Sequence, residues 1–370
     1  MTALPPLDQL PNKLLEKHAK NVYEFILTAE NSAQNDNDAK NLMYSRVVGY
    51  LLLYPPTETA FSFIQNELSS ICDNTETETE RNVSIYALGR MYFYGFISPF
   101  KKSCTPIPPS SKNSSRTSLD SQHQSISQDS KNNTCPQDHK SAKQAALVRE
   151  GYCCMVTGAF DFHSAETSPE RFHEWMRTSG KSYISPTQCC HIIPQSVNNF
   201  ESAKVMDKMT GTDSNSSTFW TIVQNFGYVD LRSQLKGAKI HDLSNIITLH
   251  RILHDKFDSL ELWLEKVDNE KNTYKICFAP GIEAYLKYAR VPVTDKVTFS
   301  VNYQESLGAQ VPLPNPRYLQ LHATCCRIAH LSGATEYLTQ IHQGIEELPV
   351  LSQDGGSADV LSLALHCATC

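Results

Sequence analysis

The chain has 370 residues, a formal net charge of -6, 40% hydrophobic residues and 19% charged residues. That length exceeds the roughly 100 to 200 residues of one domain, and the composition is that of a globular protein. The acidic balance excludes a globally basic nucleic-acid binder, although a cleavage site can meet phosphate through a local cluster of cations and a metal ion.

The first residues, "MTALPPLDQLPNKLLEK", hold two early prolines and an acid and no apolar run, so neither a secretory signal nor a membrane anchor is expected there. No stretch reaches the roughly 18 uninterrupted apolar residues of a spanning helix. The expectation is a soluble, intracellular protein without a membrane partner, in nucleus or cytoplasm. Leu14, Leu15, Val22, Phe25 and Ile26 recur at helical spacing and predict a first helix. "DAKNLMYSRVVGYLLLY" predicts a second, closed by Pro55 and Pro56, because proline lacks the N–H and clashes with the preceding turn. "TETAFSFIQNELSSICDN" and "TERNVSIYALGRMYFYGFISPF" predict a third and a fourth, so residues 1–100 form an N-terminal helical region.

Residues 101–141 are rich in Ser, Asn, Gln and Pro and poor in large apolar side chains, which predicts a disordered Ser-rich linker. Beyond it the pattern shortens. "CMVTG" reads as a strand stopped by Gly158, and "TQCCHII" as a second stopped by Pro194. "SSTFWTIVQNFG" reads as a helix; a loop follows, then a helix from about Ile247 to Phe257, and further strands in "LELWLEKV", "TYKICFA" and "KVTFSV". "PNPRYLQLHATCCRIAHLSGATEYLTQIHQG" gives two helices meeting at Gly333. The chain is therefore α+β, with a domain over 142–300, a C-terminal helical extension over 301–348 and a flexible tail over 349–370.

Twelve cysteines without a secretory signal read as free thiols or metal ligands. Three pairs are adjacent (Cys153–Cys154, Cys189–Cys190, Cys325–Cys326) and no C-x-x-C knuckle occurs, so a four-cysteine zinc site is not expected. The terminal "CATC" has the spacing of a prenylation box, but its last residue is atypical and no polybasic run precedes it.

Three residues stand out for chemistry: His191 at a strand end, Asn245 in a loop and His254 on the next helix. Asp258 follows His254 by four residues, which puts an imidazole and a carboxylate on one helical face, where both can grip one divalent ion. The ordered motifs "CCMVTG", "HIIP", "NIITL" and "LHDKFD" resemble the HNH endonucleases, whose core is the ββα-metal fold, in the subgroup found in fungal HNH nuclease domain-containing proteins. The resemblance is firm over residues 147–267, and the flanking segments extend it. It implies a metal-dependent endonuclease that hydrolyses phosphodiester bonds, with DNA rather than RNA as the expected nucleic acid. His191 takes the place of the general base, Asn245 that of the loop-fixing amide, and His254 that of the metal ligand. A histidine suits the base because its free pKa, about 6.5, lies near working pH.

Many members carry Asp or His just before the base as a second ligand; here that residue is Cys190. The expected metal is Mg²⁺ or Mn²⁺, with Zn²⁺ the alternative: thiolate prefers zinc, so either Cys190 does not bind the metal or the metal is not magnesium, and Asp258 is expected to replace the missing ligand, with Asp255 less well placed. Cys154, Thr157 and Gly158 are expected to shape the turn beneath the site. His250 reads as a structural residue, Lys239, Arg251 and Lys256 as a solvated face, and Trp220 and Trp263 as core. The alternative to an enzyme is an inactive descendant, in which the ββα core is a zinc-stabilised module that binds nucleic acid or protein.

Overall fold

A computed structural model describes residues 2–10, 17–101, 136–201, 219–300 and 311–347. Most of the predicted linker, the predicted tail over 349–370 and its "CATC" lie outside the described residues. Contacts divide the chain into two units: Met1–Ser103 with Gln195–Ser233 and Thr324–Cys370, and Cys104–Pro194 with Gln234–Ala323. The class is α+β, as the sequence predicts, with small sheets in the second unit.

The first unit carries the four predicted helices: α1 (Lys17–Asn35), α2 (Ala39–Leu53), α3 (Glu58–Asn74) and α4 (Glu78–Tyr92). Each of the last three begins on a side chain that accepts from orphan backbone N–H groups: Asp38 for α2, Thr57 for α3 and a Thr77/Glu80 capping box for α4. Helix α2 ends just before the two prolines. Every residue from Met43 to Leu52 is buried, so α2 is wrapped on all sides rather than amphipathic. Its buried Arg46 is matched by Glu30 of α1 at 2.6 Å. Helix α4 approaches α2 at Gly89, where a Cβ would lie 2.2 Å from the carbonyl oxygen of Tyr44. A π-helical turn, Phe93–Ile97, follows α4 and buries Phe93, Phe96 and Ile97.

In the second unit, helix α5 (His139–Arg149) starts on an Asp138/Ser141 capping box. Strands β1 (Phe160–Asp161) and β2 (Ile184–Ser185) pair in parallel. Strands β3 (Thr187–His191) and β4 (Ile246–His250) pair antiparallel, with Cys189 opposite Thr248 and His191 opposite Ile246. Helix α6 (Arg251–Asp258) follows β4 without a gap and packs against both strands. Strands β5 (Leu262–Lys266), β6 (Thr273–Phe278) and β7 (Lys296–Thr298) form a separate antiparallel sheet. Helix Pro316–Ser332 starts in this unit and ends in the first, which holds Ala334–Glu347; the two helices meet at Gly333, whose φ of 88° suits glycine.

The structure departs from two sequence expectations. The helix predicted from about Ile247 begins at Arg251, and Ile246–His250 is a fully buried strand. The β-branched run Ile246, Ile247, Thr248 suits a strand packed on both faces, a pattern too short for periodicity to separate from a buried helix. The strand predicted at "CMVTG" is a turn: Gly158 has φ 68° and its N–H donates to the Cys154 carbonyl at 2.9 Å. The strand starts at Phe160 instead.

A buried ion pair secures β4. Arg149 donates to the carbonyls of Leu243 at 2.6 Å, Ile246 at 2.7 Å and Pro312 at 2.9 Å, and to the Glu150 carboxylate. Glu150 in turn accepts from the Thr248 N–H at 3.1 Å. Burial pushes the Glu150 carboxyl up, and Arg149 beside it opposes that shift. No helix among the described residues is long and apolar enough to cross a membrane.

Candidate active site

Alternation along β3 sends Cys189 and His191 to one face of the hairpin and Cys190 to the other. Helix α5 covers the first face, where its Ala142 and Ala146 pack on Cys189 and Ile246. Helix α6 covers the second. The start of α6 is fixed by His250, whose Nδ1 accepts from the Ile252 N–H at 3.1 Å while Nε2 meets the Tyr183 hydroxyl at 3.0 Å. A histidine whose Nδ1 accepts carries its proton on Nε2, so His250 is the donor to Tyr183. Burial holds it below the usual histidine range and keeps it neutral for this cap. Its place is structural.

From that cap, α6 carries His254 and Asp258 one turn apart toward Cys190. His254 Nε2 lies 3.5 Å from Asp258 Oδ2, and Cys190 Sγ lies 3.8 Å from Asp258 Oδ1. Ligand atoms of Cys190, His254 and Asp258 all fall within 4.8 Å of one another. Cys190 is fully buried, whereas the side chains of His254 and Asp258 are 14% and 15% exposed. One sulfur, one nitrogen and one oxygen donor at this spacing fit a single divalent ion. Asp255 is 3.8 Å from His254 Nδ1 and 64% exposed, outside this group.

His191 occupies the opposite face, at the last position of β3. Its Nε2 is 3.1 Å from Nδ1 of His241, and its ring centroid is 5.6 Å from that of His139 at the start of α5. Asn245 is fully buried and bonds backbone only: its Nδ2 donates to the carbonyls of Ile193 at 2.9 Å and Ile240 at 3.0 Å, and its Oδ1 accepts from the Ile193 N–H at 2.8 Å. The amide thus fastens the segment after His191 to the segment before His241. Sequence reasoning missed His241, whose signal is confined to lying four residues before Asn245.

Cys154 stands apart from the Cys190, His254 and Asp258 cluster. Its buried sulfur accepts from the N–H groups of Thr157 at 3.3 Å and His250 at 3.1 Å, joining the Cys154–Gly158 turn to the end of β4. Burial pushes this thiol up, so it remains protonated and serves the turn. Lys256 is paired with Glu261 at 2.7 Å, while Lys239 and Arg251 are exposed. Trp220 is core; Trp263 is half-buried and donates to Glu265 at 2.8 Å.

Residues 154–264, which include Cys154, Cys190, His191, His241, Asn245, His254 and Asp258, match the family model described as HNH endonuclease. No curated protein matches the chain, and no solved structure does. The match suggests a nuclease-type function for this segment in general, since the family acts on nucleic acid and generally uses a divalent metal.

Proposed function

We propose that this protein is a metal-dependent endonuclease that hydrolyses phosphodiester bonds in DNA. The observation that carries the reading is the convergence of Cys190, His254 and Asp258 at the end of the strand whose last residue is His191. Cys190, His254 and Asp258 would hold the ion. A bound divalent ion supplies positive charge opposite the phosphate oxygens and the leaving 3′ oxygen as the P–O bond breaks. His191 takes a proton from water; the water oxygen bonds to phosphorus, the P–O3′ bond breaks and the leaving oxygen is protonated from solvent. Asn245 keeps His191 in register through the three backbone bonds around Ile193 and Ile240.

The thiolate of Cys190 favours Zn²⁺, then Mn²⁺, over Mg²⁺, because a soft sulfur ligand suits the hard magnesium ion poorly. The same sulfur supports the second reading, a zinc-stabilised binding module without catalysis. The full chain incubated with supercoiled plasmid and Mg²⁺, Mn²⁺, Zn²⁺ or EDTA separates the two. Metal-dependent nicking that a His191→Ala control lacks supports the nuclease. A folded protein that holds stoichiometric zinc against EDTA and nicks neither double- nor single-stranded DNA supports the module.

A further inference from the structure

Beside the Cys154–Gly158 turn lies a cavity of about 170 Å³, lined by residues of the second unit. The buried Glu150, Cys154 and Phe299 form its inner end, and the half-buried Cys153, Met155 and Trp175 its wall. The exposed Ser179 and Lys181 stand at its mouth. A cavity of about 150 Å³ admits benzene, so this one has room for a single heteroaromatic ring system and none for a base pair. Trp175 packs on Phe160 with ring centroids 5.2 Å apart, yet is only half-buried, so part of its ring remains open to the cavity. Aromatic and sulfur side chains favour a flat π face. Burial pushes the Cys153 thiol up to about 12, so the wall is uncharged. The Glu150 carboxylate is matched by Arg149 and by the Thr248 N–H, so the inner end does not repel an anion as a bare carboxylate would. At the mouth the Lys181 ammonium sits beside Gly158, where an added Cβ would lie 3.0 Å from Nζ. Among the described residues no carboxylate pairs with it.

We propose that this cavity takes one unpaired nucleobase of the substrate strand, stacked on Trp175, with the adjoining phosphate on Lys181. An apolar slot with aromatic walls and one cation at its rim is the arrangement that holds a base by its face and a phosphate by its charge. The inference rests on the nuclease reading and adds the form of the substrate, a strand with one base out of its stack. Taking a base out of a duplex costs its stacking and pairing, so a bulged or single-stranded substrate enters most readily. The location suits the role. The Cys154 sulfur accepts from the His250 N–H at 3.1 Å, and His250 caps the helix that carries His254 and Asp258, so the cavity and the candidate metal site share one support.

The test sets the full-length chain beside Lys181→Gln, Ser179→Phe, which narrows the mouth, and Trp175→Phe. Tryptophan fluorescence is followed as deoxyadenosine 5′-monophosphate, adenosine 5′-monophosphate, adenosine or inorganic phosphate is added. The expected result is a quench by the nucleotides that Trp175→Phe removes while Trp220 and Trp263 remain. Affinity should be about tenfold lower for adenosine, and for the nucleotides with Lys181→Gln, and the tighter of the two sugars identifies DNA or RNA as the source. Cleavage of a duplex with a single-base bulge should exceed that of a fully paired duplex by about tenfold, and Lys181→Gln and Ser179→Phe should each bring this ratio toward one. Inorganic phosphate bound as tightly as the nucleotide overturns the inference, as does a quench that survives in Trp175→Phe or an unchanged cleavage ratio in folded variants. A Trp175 quench without cleavage under any metal leaves the cavity standing and sinks the nuclease reading. Cleavage with neither a quench nor a bulge preference does the reverse.

Discussion

Replacing Asn245 by alanine removes three buried hydrogen bonds at once, at 2.8, 2.9 and 3.0 Å, and leaves one N–H and two carbonyls of Ile193 and Ile240 to find other partners. Each such bond contributes about 1 kcal/mol net, and each buried polar group left unsatisfied costs about 1–3 kcal/mol. Relaxation of the loop recovers part of this, so the expected destabilisation is about 3–5 kcal/mol. Asn245→Asp should cost at least as much, because a carboxylate cannot donate and would face two carbonyl oxygens in a site of zero exposure. Urea unfolding measures the total, and hydrogen exchange at the Ile193 amide measures the local share. At 1.4 kcal/mol per factor of ten, exchange there should accelerate by about two to three orders of magnitude. A loss under about 1 kcal/mol with unchanged exchange at Ile193 would refute the idea that this amide holds the loop together.

Removing either partner of the sulfur–carboxylate pair should weaken the proposed metal site: Cys190→Ala and Asp258→Ala are each expected to lower zinc affinity by about tenfold or more, read by competition with a chromophoric chelator. Cys190→Asp should move the preference toward Mg²⁺ and Mn²⁺, seen as a changed metal profile in the same assay. Gly89→Ala should cost about 2–3 kcal/mol in thermal or urea unfolding, because the added methyl meets a backbone oxygen at 2.2 Å and α4 must shift away from α2. His322 stacks on Phe257 with ring centroids 3.7 Å apart, and burial holds its pKa down to about 3 against an ordinary 6.5. The unfolded chain therefore binds a proton that the folded chain refuses, so this residue's contribution is complete above about pH 6.5 and is lost as pH falls toward 3. The slope is about 1.4 kcal/mol per pH unit, and His322→Phe, which keeps the stack without the titration, should flatten it in urea melts at pH 4 to 7.

The sequence by itself determined the features whose causes are local. Helices α1 to α4 were legible because helical periodicity and proline stops act within one or two turns. The pairing of His254 with Asp258 was legible for the same reason, since residues four apart on a helix share a face. The ordered motifs located His191, Asn245 and Cys190, and the strands "TYKICFA" and "KVTFSV" were found by their bounded apolar pattern. What only the tertiary structure decided depends on partners distant in the chain. Ile246–His250 is a strand because β3 supplies its hydrogen bonds across more than fifty residues of sequence, which no short window contains. The same pairing puts Cys190 against α6 and turns His191 toward α5 and His241. His241 became visible only through a contact fifty residues away, set by the amide of Asn245. The two units are likewise discontinuous in the chain, and Arg149 earns its buried place from carbonyls at Leu243, Ile246 and Pro312. Local propensity fixes elements within a few residues of their cause, whereas the pairing of strands and the burial of polar groups are settled by which distant segments satisfy them.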